Sequence, residues 1–289
     1  MIVPAQLAAN CRKTPERQAW LGRLPAMLEE LTDRWSLRAG PPFDHADVTC
    51  SWVAPVFRVD GTPAVLKIGM PHMEGADEIQ GLRFWSGNPT VQLLEGDEKL
   101  GAMLVERCRP GYLLRGEAED KQDAVIARLL RRLWRKKASL NGQHAFRHLS
   151  AMLAFWRRET LAAAEHWPDP GLVSEGLRVL LALGKPSPTD TLLATDLHAG
   201  NVLRSEREPW LVIDPKPFIG DAPYDLVQHL HNCEARLQAD PRGMVTRLAE
   251  LAEVDRERLQ LWTFARAAAD PRPDWSNLLW MGIARALAP

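Results

Sequence analysis

Three side chains with acid–base or hard oxygen chemistry lie close together in the second half of the chain: Asp196, Asn201 and Asp214. Asp196 and Asn201 have four residues between them in a loop that follows a short apolar strand, and Asp214 ends the next apolar strand. Phosphoryl transfer requires a carboxylate that takes the proton of the attacking hydroxyl, and oxygen ligands for Mg²⁺. The spacing lets one loop present Asp196 to a hydroxyl and Asn201 to a metal ion that Asp214 also reaches.

The first part of the chain has the pattern of a small sheet. The first 45 residues, interrupted by Pro4, Pro15 and Pro25, predict short helices. Val, Thr, Trp and Phe enrichment then predicts strands on both sides of an Asp60-Gly61 turn, and a second hairpin follows a polar helix. The predicted ranges are Asp47 to Val59, Ala64 to Ile68, Met73 to Trp85 for the helix, Val91 to Leu94, and Gly101 to Val105 around a Gly96-Asp97 turn.

After residue 108 the pattern becomes helical. Apolar residues recur every three or four positions in Glu119 to Leu140 and His148 to His166, and from Tyr224 to the end. Short strands are predicted at Thr191 to Leu193 and Trp210 to Ile213. We therefore expect an α+β protein with a small β-rich lobe and leading helices at 1–108, a larger helical lobe at 109–289, and a ligand-binding cleft between the lobes.

The motifs around these residues resemble the aminoglycoside phosphotransferase family of the protein-kinase-like fold, and within it the streptomycin and hydroxyurea phosphotransferase branch. The resemblance implies a bilobal fold, ATP or GTP as co-substrate, Mg²⁺ held by Asn201 and Asp214, and Asp196 as the catalytic base. It rests on Asp-Leu-His-x-Gly-Asn-Val-Leu, Glu-Pro-Trp-Leu-x-Ile-Asp-Pro-Lys-Pro, Gly-Asp-x-x-Tyr-Asp and Gln-His-Leu, at 196–203, 208–217, 220–225 and 228–230.

The resemblance also assigns nucleotide-binding roles in the first lobe. Lys67 is similar to the strand lysine that contacts the α- and β-phosphates, and Glu78 fits as its partner better than Glu74. The hairpin before Lys67 is expected to cover the phosphates, with Ser51 near its tip. The segment from Glu106 to Cys108 corresponds to the family's hinge, which contacts the base of the nucleotide through backbone groups.

Some residues near the catalytic loop have two interpretations. Lys216 either stabilises the transferred phosphate as a cation or forms a salt bridge with Asp221. His198 is expected to brace the loop, because the family pattern gives the role of base to Asp196. Asp225 is expected to hold the catalytic loop, and Trp134 to lie in the core.

Composition excludes several classes of protein. A net charge of −1 does not favour nucleic acid or an anionic membrane, and no uncharged apolar run is long enough to span one. The four cysteines are scattered and contain no CxxC pair, which is typical of reduced thiols and a cytoplasmic location. Oligomeric state cannot be read from the sequence.

The expected partner is a small molecule with a hydroxyl. The branch resemblance favours a streptomycin-type aminoglycoside or hydroxyurea, which implies an antibiotic-resistance function. A metabolic kinase of a sugar, a choline-like compound or another small alcohol is an alternative, since one fold serves many substrates. A catalytically silent nucleotide-binding kinase fold is a further alternative, although Lys67, Asp196, Asn201 and Asp214 are all present.

Overall fold

The structure is a computed structural model that describes residues 2–45, 48–134 and 146–289. Its contacts divide the chain into two compact units. The first unit contains Met1–Gly111 together with Arg204–Leu211, and the second contains Tyr112–Leu203 and Val212–Pro289. Among the described residues, no helix combines the length and the apolar character that crossing a membrane requires.

The first unit is built around a five-stranded sheet of order β1-β2-β3-β5-β4, in which neighbouring strands are antiparallel. One face of this sheet is covered by the two N-terminal helices, whose buried residues pack with those of the strands. The elements are α1 (Ala5–Cys11), α2 (Pro15–Arg34), β1 (Leu37–Ala39), β2 (Ser51–Arg58), β3 (Pro63–Gly69), α3 (Glu78–Trp85), β4 (Leu93–Asp97) and β5 (Ala102–Glu106).

The prediction of short helices before residue 45 is wrong for α2, which runs for 20 residues with Pro25 inside it. Pro15 stands at the first turn, where its missing N–H costs nothing, and Thr14 caps the helix. Pro25 does remove a hydrogen bond from the interior. We attribute the continuation of the helix to its buried stripe, which packs on the sheet: Trp20, Leu24, Met27 and Leu31.

The second predicted hairpin forms, but its turn lies elsewhere. Gly96 is inside β4 and not in the turn. The glycine allows α3 to approach closely, because a Cβ at this position would lie 2.9 Å from Ile79 Cγ2. The chain reverses at 98–101, where Gly101 has φ of 61°, a left-handed conformation that glycine adopts without strain. The predicted helix from Met73 is also divided into a 3₁₀ turn, Glu74–Asp77, and then α3.

The second unit is mostly helical. Two of its short strands, β6 (Thr191–Leu193) and β9 (Phe218–Gly220), form an antiparallel pair. A further short pair is formed by β7 (Val202–Arg204) and β8 (Trp210–Val212), of which residues 204–211 are counted with the first unit. The sequence predicted β6 and β8 but neither of their partners. The helices are α4 (Glu119–Leu133), α5 (Leu149–Ala162), α6 (Pro170–Leu183), α7 (Pro223–Asn232), α8 (Glu234–Ala239), α9 (Pro241–Ala252), α10 (Arg256–Ala269) and α11 (Leu279–Leu287).

The centre of the second unit is α10, which packs against α6, α7, α9 and α11. Its C-terminal half is buried and rich in alanine, which allows α6 to approach closely at Gly176: a Cβ there would lie 2.6 Å from Ala268 Cβ. The helix predicted up to Leu140 ends at Leu133, and the part of that prediction beyond 134 lies outside the described residues, as do Ala46 and Asp47.

A charge network centred on the buried carboxylate of Asp123 joins α4, α7, α8 and α9. His229 Nε2 lies 3.0 Å from Asp123 Oδ1, and Arg236 and Arg247 donate to the same carboxylate at 2.7 and 2.8 Å. Cys233 lies beside the imidazole, so that Asp123, His229 and Cys233 form a group with metal-like spacing. Both arginines would have to leave Asp123 before it could bind a metal ion, so we interpret the group as an ion-pair network.

This network predicts a loss of stability in mildly alkaline solution. Although burial lowers the pKa of His229, hydrogen bonds to Asp123 and Cys233 outweigh it and raise that pKa to about 9. Because the folded pKa lies above the unfolded one, this stabilisation is complete below the ordinary histidine pKa and disappears as pH rises through about 9. We expect the free energy of unfolding, measured by urea titration, to fall across that range by a few kcal/mol.

The control is His229→Gln, which keeps a hydrogen-bonding side chain but does not titrate. Its free energy of unfolding should be lower than that of the parent at neutral pH and should show a much smaller fall towards alkaline pH. An identical alkaline fall in parent and variant would contradict the assignment to His229.

Candidate active site

The catalytic loop follows directly from buried strand β6. Ala194 and Thr195 are buried, and the chain becomes half-exposed at Asp196. Thr195 has φ of 48°, an unusual conformation for a β-branched residue, and two hydrogen bonds hold it there. Its N–H donates to Asp225 Oδ1 at 2.7 Å, and its hydroxyl donates to the carbonyl oxygen of Lys216 at 2.7 Å. The strain turns the chain outward immediately before the predicted base.

Asp225 holds this loop from α7 through a fully buried carboxylate. Besides the Thr195 N–H, it accepts hydrogen bonds from the Ala194 N–H at 2.9 Å and from the Trp134 indole at 3.0 Å. Burial raises the pKa of Asp225 to about 6 in spite of these three donors, so the group is ionised at neutral pH. The predicted bracing by Asp225 is therefore present, and Trp134 contributes to it directly.

The structure brings Asp196, Asn201 and Asp214 together. Asn201 Nδ2 donates to the backbone oxygen of Asp196 at 2.9 Å and lies 3.5 Å from its Oδ2. The carbonyl oxygen of Asn201 accepts from the N–H of Ile213 at 2.9 Å, which fixes the residue next to Asp214. Asp214 itself has φ of 54°, a second strained position in the same small region.

His198 and Gly200 shape the turn between Asp196 and Asn201. The Nδ1 atom of His198 accepts from the Gly200 N–H at 3.1 Å, which is the bracing that the sequence predicted. A Cβ on Gly200 would lie only 2.2 Å from Nη2 of Arg115, so glycine lets this guanidinium lie against the loop. The sequence analysis missed Arg115, because it lies far upstream in the 3₁₀ turn Leu114–Gly116 and matches no motif.

Lys216 is paired with the candidate metal ligand. Its Nζ contacts Oδ1 of Asp214, and its backbone N–H donates to the carbonyl oxygen of Ala194 at 2.8 Å. The carboxylate of Asp221 is bound by Arg258 and Trp262, at 2.5 and 2.6 Å, and not by the alternative partner Lys216. Lys216 is buried, whereas the carboxylate of Asp214 is about one-third exposed.

In the first unit, Lys67 and Glu78 form a tight ion pair. Lys67 lies on β3 opposite Val53 and Met103, and its Nζ is 2.7 Å from both carboxylate oxygens of Glu78, the first residue of α3. Both side chains are mostly buried, with 11% and 6% of their surface exposed. Of the two candidate glutamates, Glu78 is the one in this position.

The position predicted for Ser51 is wrong. It begins β2 opposite Gly69, at the end of the strand away from the Asp60-Gly61 turn. The sequence analysis missed β1, so it assigned the hairpin next to Lys67 to the wrong pair of strands. Ser51 therefore stands where the connection from β1 enters β2.

Glu106 and Cys108, which are predicted to belong to a hinge, lie at and just after the end of β5. The carboxylate of Glu106 binds Arg207 through Nε at 3.0 Å, and Arg207 also donates to the carbonyl oxygens of Gly87 and Thr90. Burial raises the pKa of the Cys108 thiol to about 11, so it is not a reactive nucleophile. Sequence reasoning missed Arg207, although it adjoins the Glu-Pro-Trp-Leu motif.

The donors around Asp214 fit a magnesium ion. Asp214 supplies a partly exposed carboxylate, and Asn201 supplies its amide oxygen, because its nitrogen is engaged with Asp196. These hard oxygen ligands are the type that Mg²⁺ prefers, and two protein ligands are a usual number for it. Lys216 would have to move from Asp214 when the ion binds.

The contacts of Asp225 predict the effect of Asp225→Asn. An amide cannot accept at both positions, so at least one of the N–H donors from Ala194, Thr195 and Trp134 loses its partner. We expect the free energy of unfolding to fall by about 3 kcal/mol and turnover to fall with it. Asp190→Asn is the matched control, since this buried carboxylate contacts His148 and Ser187 instead of the loop. Equal turnover in the two variants would contradict the bracing role.

Known proteins similar to this chain support one family. The sequence profile of the aminoglycoside/hydroxyurea antibiotic resistance kinases matches residues 34–271. A streptomycin 6-kinase of Streptomyces glaucescens is 38% identical over 96% of this chain and 90% of its own length. A hydroxyurea phosphotransferase of Kitasatospora aureofaciens is 37% identical over 89% of this chain and 73% of its own length.

Solved structures show the same fold at lower identity. A choline/ethanolamine kinase family protein of Mesorhizobium loti aligns with a TM-score of 0.60 at 15% identity, over 90% of this chain and 93% of its own. An aminoglycoside phosphotransferase of Streptomyces rimosus aligns with a TM-score of 0.54 at 17% identity, over 90% of this chain and 98% of its own. The chain has the α+β, protein-kinase-like fold, and it belongs to the aminoglycoside/hydroxyurea antibiotic resistance kinase family.

Proposed function

We propose that this protein transfers the γ-phosphoryl group of ATP or GTP to a hydroxyl of a streptomycin-type aminoglycoside. The observation that carries the proposal is the cluster of Asp196, Asn201 and Asp214, in which Asn201 donates to Asp196 and accepts from the N–H of Ile213. The acceptor class is supported by the two streptomycin 6-kinases that match 96% of the chain. The cytoplasmic location stays a prediction.

Each residue has one part in the reaction. Lys67, positioned by Glu78, binds the α- and β-phosphates, and backbone groups from Glu106 to Cys108 bind the base. Asp196 orients the acceptor hydroxyl and accepts its proton while the oxygen bonds to the γ-phosphorus and the nucleoside diphosphate leaves. Asn201 and Asp214 hold Mg²⁺, which neutralises charge on the phosphates when bound. Ser51, at the entry to β2, is assigned to the phosphate-covering connection.

Hydroxyurea is the second candidate acceptor, because a relative of that name matches 89% of the chain. The two candidates are distinguished by incubating the purified protein with Mg²⁺, ATP or GTP, and each acceptor in turn, followed by mass spectrometry. We expect streptomycin to gain one phosphoryl group. A product formed only from hydroxyurea, a sugar or an amino alcohol would preserve the chemistry and replace the acceptor. Nucleotide binding without any product would favour the silent-kinase alternative.

Asp196→Asn tests the assigned base. The change keeps size and polarity but removes the proton acceptor, so turnover should fall by roughly a thousandfold. The dissociation constant for the nucleotide should change less than about threefold, since Asp196 is not assigned to phosphate binding. Asp190→Asn serves as the control for loss of a nearby carboxylate. Parental turnover in Asp196→Asn would refute the assignment.

Lys216→Met separates the two functions open to Lys216. If its ammonium stabilises charge on the transferred phosphoryl group, turnover at saturating Mg²⁺ should fall roughly a hundredfold. The apparent affinity for Mg²⁺ should rise at the same time, because Asp214 loses a competing cation. Parental turnover at saturating Mg²⁺ would mean that Lys216 serves only as a partner for Asp214. Lys185→Met, an exposed lysine elsewhere in the same unit, controls for loss of a charge.

A further inference from the structure

A cavity in the first unit lies beside groups assigned to nucleotide binding, since Ser51 and Glu78 belong to its lining. Its volume is about 490 Å³, within the range of small-molecule sites. It lies at the end of the sheet where β3 leaves for α3, with α2 on one side and the β4–β5 turn on the other. Lys67 does not line it, but its partner Glu78 does.

The lining of the cavity combines methionine side chains with a buried donor that has no partner. Met27, Met70 and Met103 line it, and methionine side chains adapt to ligands of varied shape. Trp20 also lines it and is only 1% exposed. Within the described part of the chain, its indole N–H is buried and has no hydrogen-bond partner. An unsatisfied buried donor is costly, and a ligand with an acceptor atom would satisfy it.

The charges around the cavity leave an excess of one positive charge. Two of its acids are neutralised, because Glu78 pairs with Lys67 and Glu98 pairs with Arg83. The remaining charged side chains of the lining are Glu16, Arg23 and Lys99, all exposed and without an ion pair among the described residues. Two cations and one anion therefore face a ligand that enters between them.

From these three observations we propose that the cavity binds a compact amphipathic monoanion, with an aromatic or aliphatic body and one carboxylate or sulfonate. The body packs against the methionines. The anionic group accepts from the Trp20 indole and is attracted by Arg23 and Lys99. A body of this kind has few polar atoms to desolvate, which suits the methionine part of the lining.

Occupancy of the cavity should affect nucleotide binding, a consequence that rests on the proposed function. The wall nearest α3 is the connection 70–77, which leads directly into Glu78. This connection is tightly folded: a Cβ on Gly75 would lie 2.4 Å from the His72 ring, whose Nδ1 contacts the carbonyl oxygen of Met70 at 2.7 Å. A ligand against this wall would fix the start of α3 and therefore the carboxylate that positions Lys67.

The probe for the site is anilinonaphthalene sulfonate, an aromatic monoanion whose fluorescence rises in apolar surroundings. We expect one probe to bind per chain in calorimetric and fluorescence titrations. Binding should weaken about tenfold in Trp20→Phe, which loses the donor, and at least as much in the double variant Arg23→Glu/Lys99→Glu. Ala76→Trp, which fills the cavity from an exposed position, should abolish binding without touching the core.

The matched control is Arg12→Glu/Lys13→Glu, which changes net charge equally at exposed positions outside the cavity. Its probe affinity should equal that of the parent. Equal weakening in the two double variants would overturn the site, because it would reflect overall charge. Parental affinity in Ala76→Trp would also overturn it.

Titration of the probe at increasing MgATP tests the coupling. The apparent dissociation constant of the probe should change roughly fivefold and then level off, with the reciprocal change in nucleotide affinity. If the apparent dissociation constant of the probe rises in proportion to the MgATP concentration without levelling off, the proposal is overturned, because the probe then occupies the nucleotide site. If the probe binds in the cavity and the protein binds no MgATP, the proposed function fails while the anion site stands.

Discussion

The arrangement of the catalytic loop depends on one buried carboxylate. Asp225 has no exposed surface, and its two oxygens accept the N–H groups of Ala194 and Thr195, whose backbone leads into Asp196. Keeping this group ionised costs folding free energy, as its raised pKa shows, and the three donors offset that cost only in part. The geometry of the loop is therefore maintained at the expense of stability, which is a common property of functional sites.

The first unit contains a comparable constraint. Lys67 and Glu78 are both nearly buried, so each ion is tolerable only while the other is in place. Because Glu78 is the first residue of α3, the ion pair ties the start of that helix to the centre of the sheet. Anything that displaces the connection before α3 must also disturb the lysine. This dependence is why the cavity beside Glu78 is of functional interest.

The sequence predicted the parts of the site that are local. Asp196 and Asn201 belong to one tight loop, and Asn201 and Asp214 are joined by the short hairpin of β7 and β8, so their proximity follows from a few residues of chain. Strand β1 has three residues and little burial, which leaves almost no hydrophobic pattern to detect. Because β1 was not predicted, Ser51 was expected near the tip of the hairpin before Lys67, whereas it lies where the connection from β1 enters β2. The helix break predicted at Pro25 was wrong for a different reason, because the tertiary packing of α2 overrides the local helix-breaking effect of proline.

The contacts that could not be predicted are those between residues distant in sequence. Arg115 against Gly200, Arg207 on Glu106 and Trp134 on Asp225 each join segments whose separation exceeds any motif. A basic or aromatic residue on a helix or turn has no pattern that distinguishes such a contact from solvent exposure or core packing. Local spacing therefore identifies the groups that can react, whereas the groups that orient them are brought into contact only by the tertiary structure. This explains why a motif is sufficient to name a reaction and insufficient to describe how the site is held.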